Sequence, residues 1–120
     1  MNREKIFQYA GEYFGTEPEY LFSKYPDYAV LRRKDNSKWY AVVMNISKSK
    51  LGLPEIDVVD VINVKCDPLM MDLYFQQYGF FPAYHMNKSH WISIILDGSV
   101  SDEDIFNLLN VSYEMTGRKK

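Results

Sequence analysis

With 120 residues, 47% of them hydrophobic and 16% aromatic, the chain is long enough to bury one core and too short for two, so residues 1–120 read as one domain. A formal net charge of −2 excludes a global attraction to polyanions or anionic lipid and leaves local charge clusters as the route to phosphate. A lone cysteine, Cys66, excludes an internal disulfide, a zinc knuckle and a paired-thiol redox centre; a charged start, Asn2-Arg3-Glu4-Lys5, and no apolar run approaching ~20 residues predict a cytoplasmic protein that makes no use of a membrane.

Ile6, Tyr9, Ala10, Tyr13 and Phe14 recur at i, i+3, i+4, i+7 and i+8, which predicts a first helix with Asn2 as its cap and Gly15 as its stop. Glu17-Pro18-Glu19 breaks that pattern, and Tyr20 to Tyr28 reads as an aromatic-rich connection, because Pro26 cannot continue a helix. Residues Tyr28 to Arg33 and Lys38 to Ile46 favour β structure and flank turn chemistry at Lys34-Asp35-Asn36-Ser37, so they predict a hairpin. Ile56 to Val64 is branched and apolar apart from Asp57, Asp60 and Asn63, the pattern of a central strand covered on one or both faces.

Asp67-Pro68 is a helix start, with Leu69, Met70, Leu73 and Tyr74 expected as the buried stripe and Gly79 as the end. Ala83 to Met86 and Ser89 to Leu96 are expected to pair as a second hairpin about a tight Asn87-Lys88 turn, with Ile92, Ile94 and Leu96 sharing one face. Ser101 with Asp104 resembles a capping box before a helix that buries Ile105, Leu108, Leu109 and Ser112. Gly117 can end that helix, and residues 117–120 then form a frayed basic tail. The expected fold class is therefore α+β: a two-layer domain in the order helix, three strands, helix, two strands, helix, with a largely antiparallel five-stranded sheet.

Charge is uneven along this frame, since residues 24–50 carry +5 and residues 51–78 carry −4. The first hairpin tip bears Arg32, Arg33, Lys34 and Lys38, and the second bears Lys88 with His85 and His90 beside it. Cations on projecting tips can displace counterions from DNA, Asn87 or Arg33 can reach a base edge, and Tyr84 or Trp91 can stack. Charged tips also serve simply to keep hairpins soluble and to block edge pairing.

Other chemistry has less basis. His85 and His90 are five residues apart, which matches neither a helical pair nor a finger pattern, and no carboxylate lies between them, so no metal or other cofactor is expected. Cys66 with a histidine and Asp67 or Asp97 would suffice for a nucleophilic triad, yet a single cysteine at the end of an apolar strand reads as a small buried hydrophobe. Asp102, Glu103 and Asp104 sit where a helix macrodipole favours acids. No catalytic signature is visible, and the protein is expected not to be an enzyme.

The strings Asn63-Val64-Lys65-Cys66-Asp67-Pro68, Pro82-Ala83-Tyr84-His85-Met86-Asn87-Lys88-Ser89-His90-Trp91 and Leu96-Asp97-Gly98-Ser99-Val100 resemble the signature of the MmcQ/YjbR-like family of small bacterial proteins. The resemblance spans nearly the whole chain and implies a YjbR-like, secretion-chaperone-like α+β fold, which has also been likened to a double-wing DNA-binding domain. It marks Lys65, Tyr84, His85, Asn87, Lys88, His90 and Trp91 as signature positions. Two partners follow as expectations: DNA, held by the two basic tips, or a protein or peptide, held by apolar surface as in secretion chaperones. Oligomeric state is open on this reading.

Overall fold

The computed structural model describes residues 1–117. Helix α1, Arg3–Phe14, starts where Asn2 Oδ1 accepts from the Lys5 amide at 2.9 Å and stops at Gly15, whose φ of 63° lets its amide reach back to the Ala10 carbonyl. An aromatic connection then leads to the hairpin of β1, Ala29–Arg32, and β2, Trp39–Ser47. A 3-10 turn, Lys48–Leu51, precedes β3, Val58–Lys65. After a second 3-10 turn, Pro68–Met70, come α2, Met71–Phe75, β4, Phe80–Pro82, β5, Trp91–Ile95, and α3, Asp102–Gly117. The sheet is five-stranded and antiparallel throughout, in the order β1-β2-β3-β5-β4, so the domain is α+β as its periodicities imply.

Both faces of the sheet are covered. Ala29, Leu31, Ala41, Val43, Ile62, Val64, Ile92 and Ile94 pack with Ile6 and Ala10 of α1 and with Ile105, Leu108 and Leu109 of α3. On the other face, Val30, Val42, Met44, Val61 and Ile95 are roofed by connections that bring in Phe22, Leu51, Leu53, Tyr84 and Met86. Alternation within each strand divides the side chains between these two cores. The α3 stripe Ile105, Leu108, Leu109 and Ser112 is buried as expected, and Ser101 Oγ accepts from the Asp104 amide at 3.2 Å. Ser112 also contributes to the sheet, donating to the Tyr40 carbonyl at 2.6 Å and accepting from the Lys65 amide at 2.8 Å.

Two expectations are corrected. The helix after Asp67-Pro68 is broken into a 3-10 turn and a five-residue α2, and it turns Met71 and Tyr74 inward. Leu69 is 87% exposed and Leu73 54%, because Tyr74 stacks on Phe80 at 5.3 Å and that contact sets the rotation of the segment. The second hairpin pairs Phe80–Pro82 with Trp91–Ile95 in the register Phe80↔Ile94, leaving 83–90 as a long loop in place of a tight turn. The backbone of Tyr84 is diverted from strand pairing by side chains: its amide donates to Ser93 Oγ at 3.0 Å and its carbonyl accepts from Asn63 Nδ2 at 2.9 Å. Positive φ falls on His85, at 60°, rather than on Asn87, whose side chain instead accepts from the Ser89 amide. Of the expected tail, residues 118–120 lie outside the described residues.

Candidate functional site

The register puts both hairpin connections at one end of the sheet. Arg32 pairs with Trp39, Ala41 with Val64, Lys65 with Trp91 and Pro82 with Ile92, so β1, β3 and β4 end where β2 and β5 begin. The β1–β2 tip and the β4–β5 loop leave this end on either side of β3. Three strand spacings separate their midlines, about 14 Å at ~4.8 Å per strand.

The expected cations do not all remain available there. Arg32 makes a two-bonded fork with Glu19, 2.7 Å for each hydrogen bond. Arg33 is more tightly held: its side chain is 12% exposed, it grips Asp35 at 2.9 and 2.8 Å, donates to the Tyr113 carbonyl at 2.6 Å and lies 4.0 Å over the Tyr113 ring. The Asp35 carboxyl is accordingly held below its usual range, chiefly by its hydrogen bond to Arg33. Arg33 is therefore a strut between the tip and α3, which corrects its expected place at a base edge. Trp91 is corrected too, for at 6% exposure its ring cannot stack on a base.

Lys34, Lys38 and Lys88 are exposed and Lys65 half-buried, and none forms an ion pair among the described residues. Asn87 and His90 are exposed beside Lys88, and the His90 carbonyl accepts from the Cys66 amide, anchoring the foot of the loop. Cys66 is buried and desolvation pushes its thiol up to about 11, which removes the thiolate that nucleophilic chemistry would need. Among the described residues no group of three or more His, Cys, Asp or Glu side chains could hold a metal ion.

A second feature lies on the loop-covered face. A cavity of about 340 Å³ opens between the aromatic connection, β2 and the signature loop. Phe22, Tyr25 and Tyr28 line it from the connection, Trp39, Val42 and Met44 from β2, and His85 and Met86 from the loop. The sequence places Phe22, Tyr25 and Tyr28 in one aromatic-rich connection but carries no sign that they meet Trp39, Met44 and the signature loop. The buried polar pair beneath the loop had a visible sign, since Asn63 and Ser93 interrupt otherwise apolar strands; both are fully buried, and Ser93 Oγ donates to Asn63 Oδ1.

Comparison with known proteins settles the family. The YjbR family model matches residues 12–115. The chain belongs to the YjbR family. It is 41% identical to YyaQ of Bacillus subtilis (strain 168) over 116 residues, 97% of this chain and 98% of that protein. Similarity to YjbR of Escherichia coli (strain K12) is 34% over 81 residues, 66% of this chain and 69% of the other. A crystal structure of a Pseudomonas syringae protein superposes with a TM-score of 0.93 at 40% identity, covering 97% of this chain and 99% of that one. A Deinococcus radiodurans protein shares the fold alone, with a TM-score of 0.77 at 22% identity over 98% of this chain and 80% of that one. No helix among the described residues is long and apolar enough to cross a membrane.

Proposed function

We propose that this YjbR-family chain is a non-catalytic, cytoplasmic DNA-binding protein that meets the duplex backbone with the tip end of its sheet. One observation carries the reading: both connections lie at the same end of the sheet, with Lys34, Lys38, Lys65 and Lys88 unpaired among the described residues. The ~14 Å between the midlines of the two strand pairs that carry these connections is comparable to the ~12 Å width of the major groove. The contact set on this reading is the four lysines with Asn87 and His90, and Arg32 is discounted because Glu19 already matches its charge.

Fluorescence anisotropy with a labelled 20-base-pair duplex between 50 and 200 mM salt tests the proposal. Four phosphate contacts correspond to a log–log salt slope of about −3.6. Absence of binding at 50 mM salt, or binding indifferent to salt, refutes it.

A second reading, a protein-binding module, is favoured by a different observation. Leu69, Met70, Leu73, Phe75 and Tyr78 are all at least 36% exposed within one short segment. Sizing and light scattering of the wild type beside Leu69→Glu/Leu73→Glu test it; a monomer whose behaviour the double substitution leaves unchanged counts against it.

A further inference from the structure

The cavity on the loop-covered face takes no part in any phosphate contact, and a role for it is independent of the DNA-binding reading. Its rings brace one another. Phe22 meets Tyr28 edge-on at 6.1 Å and Trp39 edge-on at 6.0 Å, while Tyr25 stacks on Tyr28 at 4.6 Å. Such contacts hold aromatic faces in place before anything binds, which lowers the entropic cost of binding. From the other side, the loop that supplies His85 and Met86 is pinned through Tyr84 to Asn63 and Ser93. His85 itself holds a φ of 60°, a left-handed conformation that a non-glycine residue keeps only where surrounding structure enforces it.

The chemistry of the walls selects an occupant. No Lys, Arg, Asp or Glu lines the cavity, so a full charge of either sign would be desolvated without a partner. Burial holds the proton of the Tyr28 phenol more tightly, so that group meets an occupant as a neutral hydrogen-bonding partner. Ring faces and the thioethers of Met44 and Met86 suit a flat, polarisable body. The His85 imidazole and the phenols offer hydrogen bonds to one polar edge. An apolar cavity of ~150 Å³ admits benzene, so about 340 Å³ suits two fused rings with a small substituent.

We propose that this cavity is a binding site for a small, neutral, bicyclic aromatic molecule carrying one hydrogen-bonding group. Trp39 opens β2 next to the β1–β2 tip and His85 lies in the β4–β5 loop, so such an occupant touches the loop and the strand that leaves the tip at once.

The test uses the full chain with 13C-methyl methionine, in which Met44 and Met86 report from the cavity and Met1, Met70, Met71 and Met115 serve as controls. Three probes share a ring system and differ in charge: 2-naphthamide, 2-naphthoate and (2-naphthylmethyl)trimethylammonium. Expected are saturable shifts of the Met44 and Met86 methyls with 2-naphthamide, and affinities weaker by about tenfold or more for both charged probes. Tyr25→Ala, at a residue 45% exposed and outside the packed core, should weaken 2-naphthamide by about tenfold while leaving the control methyls unchanged. An N-acetyl-Gly-Trp-Gly-amide peptide should bind no more tightly than the free ring compound. Equal affinity for the three probes, no saturable shift at several millimolar, movement of the control methyls instead, or tighter binding of the peptide overturns the proposal.

Discussion

Replacing Ser93 by alanine asks whether one hydroxyl holds the signature loop in shape. Ser93 Oγ accepts from the Tyr84 amide at 3.0 Å and donates to Asn63 Oδ1, so the change strands two polar groups with a single substitution. Asn63 is fully buried and Tyr84 half-buried, and each orphaned group costs about 1–3 kcal/mol. The Tyr84 amide can regain water more readily, so the sum is set near 3 kcal/mol, roughly a 150-fold loss in the folded-to-unfolded ratio. With about 2.1 cal/mol/K of unfolding entropy per residue over 120 residues, Tm falls by about 12 °C. Circular dichroism in urea and on heating measures the loss, and hydrogen exchange at the Tyr84 amide localises it. Asn63→Ala combined with Ser93→Ala should cost about 1–2 kcal/mol less than the two singles added, because the pair loses the same bonds. A Ser93→Ala protein within ~0.5 kcal/mol of wild type, with Tyr84 still protected, refutes the latch.

Arg33→Ala should destabilise by about 2 kcal/mol through lost stacking on Tyr113 and the lost bond to its carbonyl, and Arg33→Lys should recover less than half in the same melts, since an ammonium cannot reproduce the fork on Asp35 together with that bond. Lys38→Gln and Lys88→Gln should each reduce the magnitude of the DNA salt slope by about 1 in anisotropy titrations without moving Tm; unchanged slopes would remove these lysines from the contact set. Burial pushes the Tyr40 phenol from 10.0 up to about 12, so the fold favours its neutral form. Stability from this group is complete below pH 10 and lost as pH rises towards 12, because the unfolded chain releases the proton first; the loss is on the order of 2 kcal/mol. Tyr40→Phe should flatten that part of the urea-midpoint profile, and it removes a buried hydroxyl with no hydrogen-bond partner among the described residues.

The pairing of tip arginines with acids bears on where charge can act. Glu19 and Asp57, both outside residues 24–50, pair with Arg32 and Lys48, so the +5 of that segment, which already counts Asp35 against Arg33, overstates what a polyanion would meet. Lysines distributed over both connections and the end of β3 replace a single basic finger as the cationic surface. Exposed pairs contribute little to stability, but a fork as well aligned as Arg32 with Glu19 also fixes the connection against β1, next to the Glu19–Val30 bridge.

Local rules determined a large share of this protein. The Asn2 cap and Gly15 stop of α1, the β1–β2 hairpin, and the stripe of Ile105, Leu108, Leu109 and Ser112 on α3 are legible because caps, turns and periodicity act between residues a few positions apart. Tertiary structure alone decided the rest. Leu69 and Leu73 face outward because Tyr74 and Phe80 set the rotation of α2, and the signature loop opens because Ser93 and Asn63 compete for the Tyr84 backbone. Arg33 becomes a strut through a carbonyl 80 residues away, and the aromatic cavity exists only where three segments converge. A residue's propensity is a property of its neighbours in sequence, whereas its exposure and its partner are properties of whatever the folded chain brings against it.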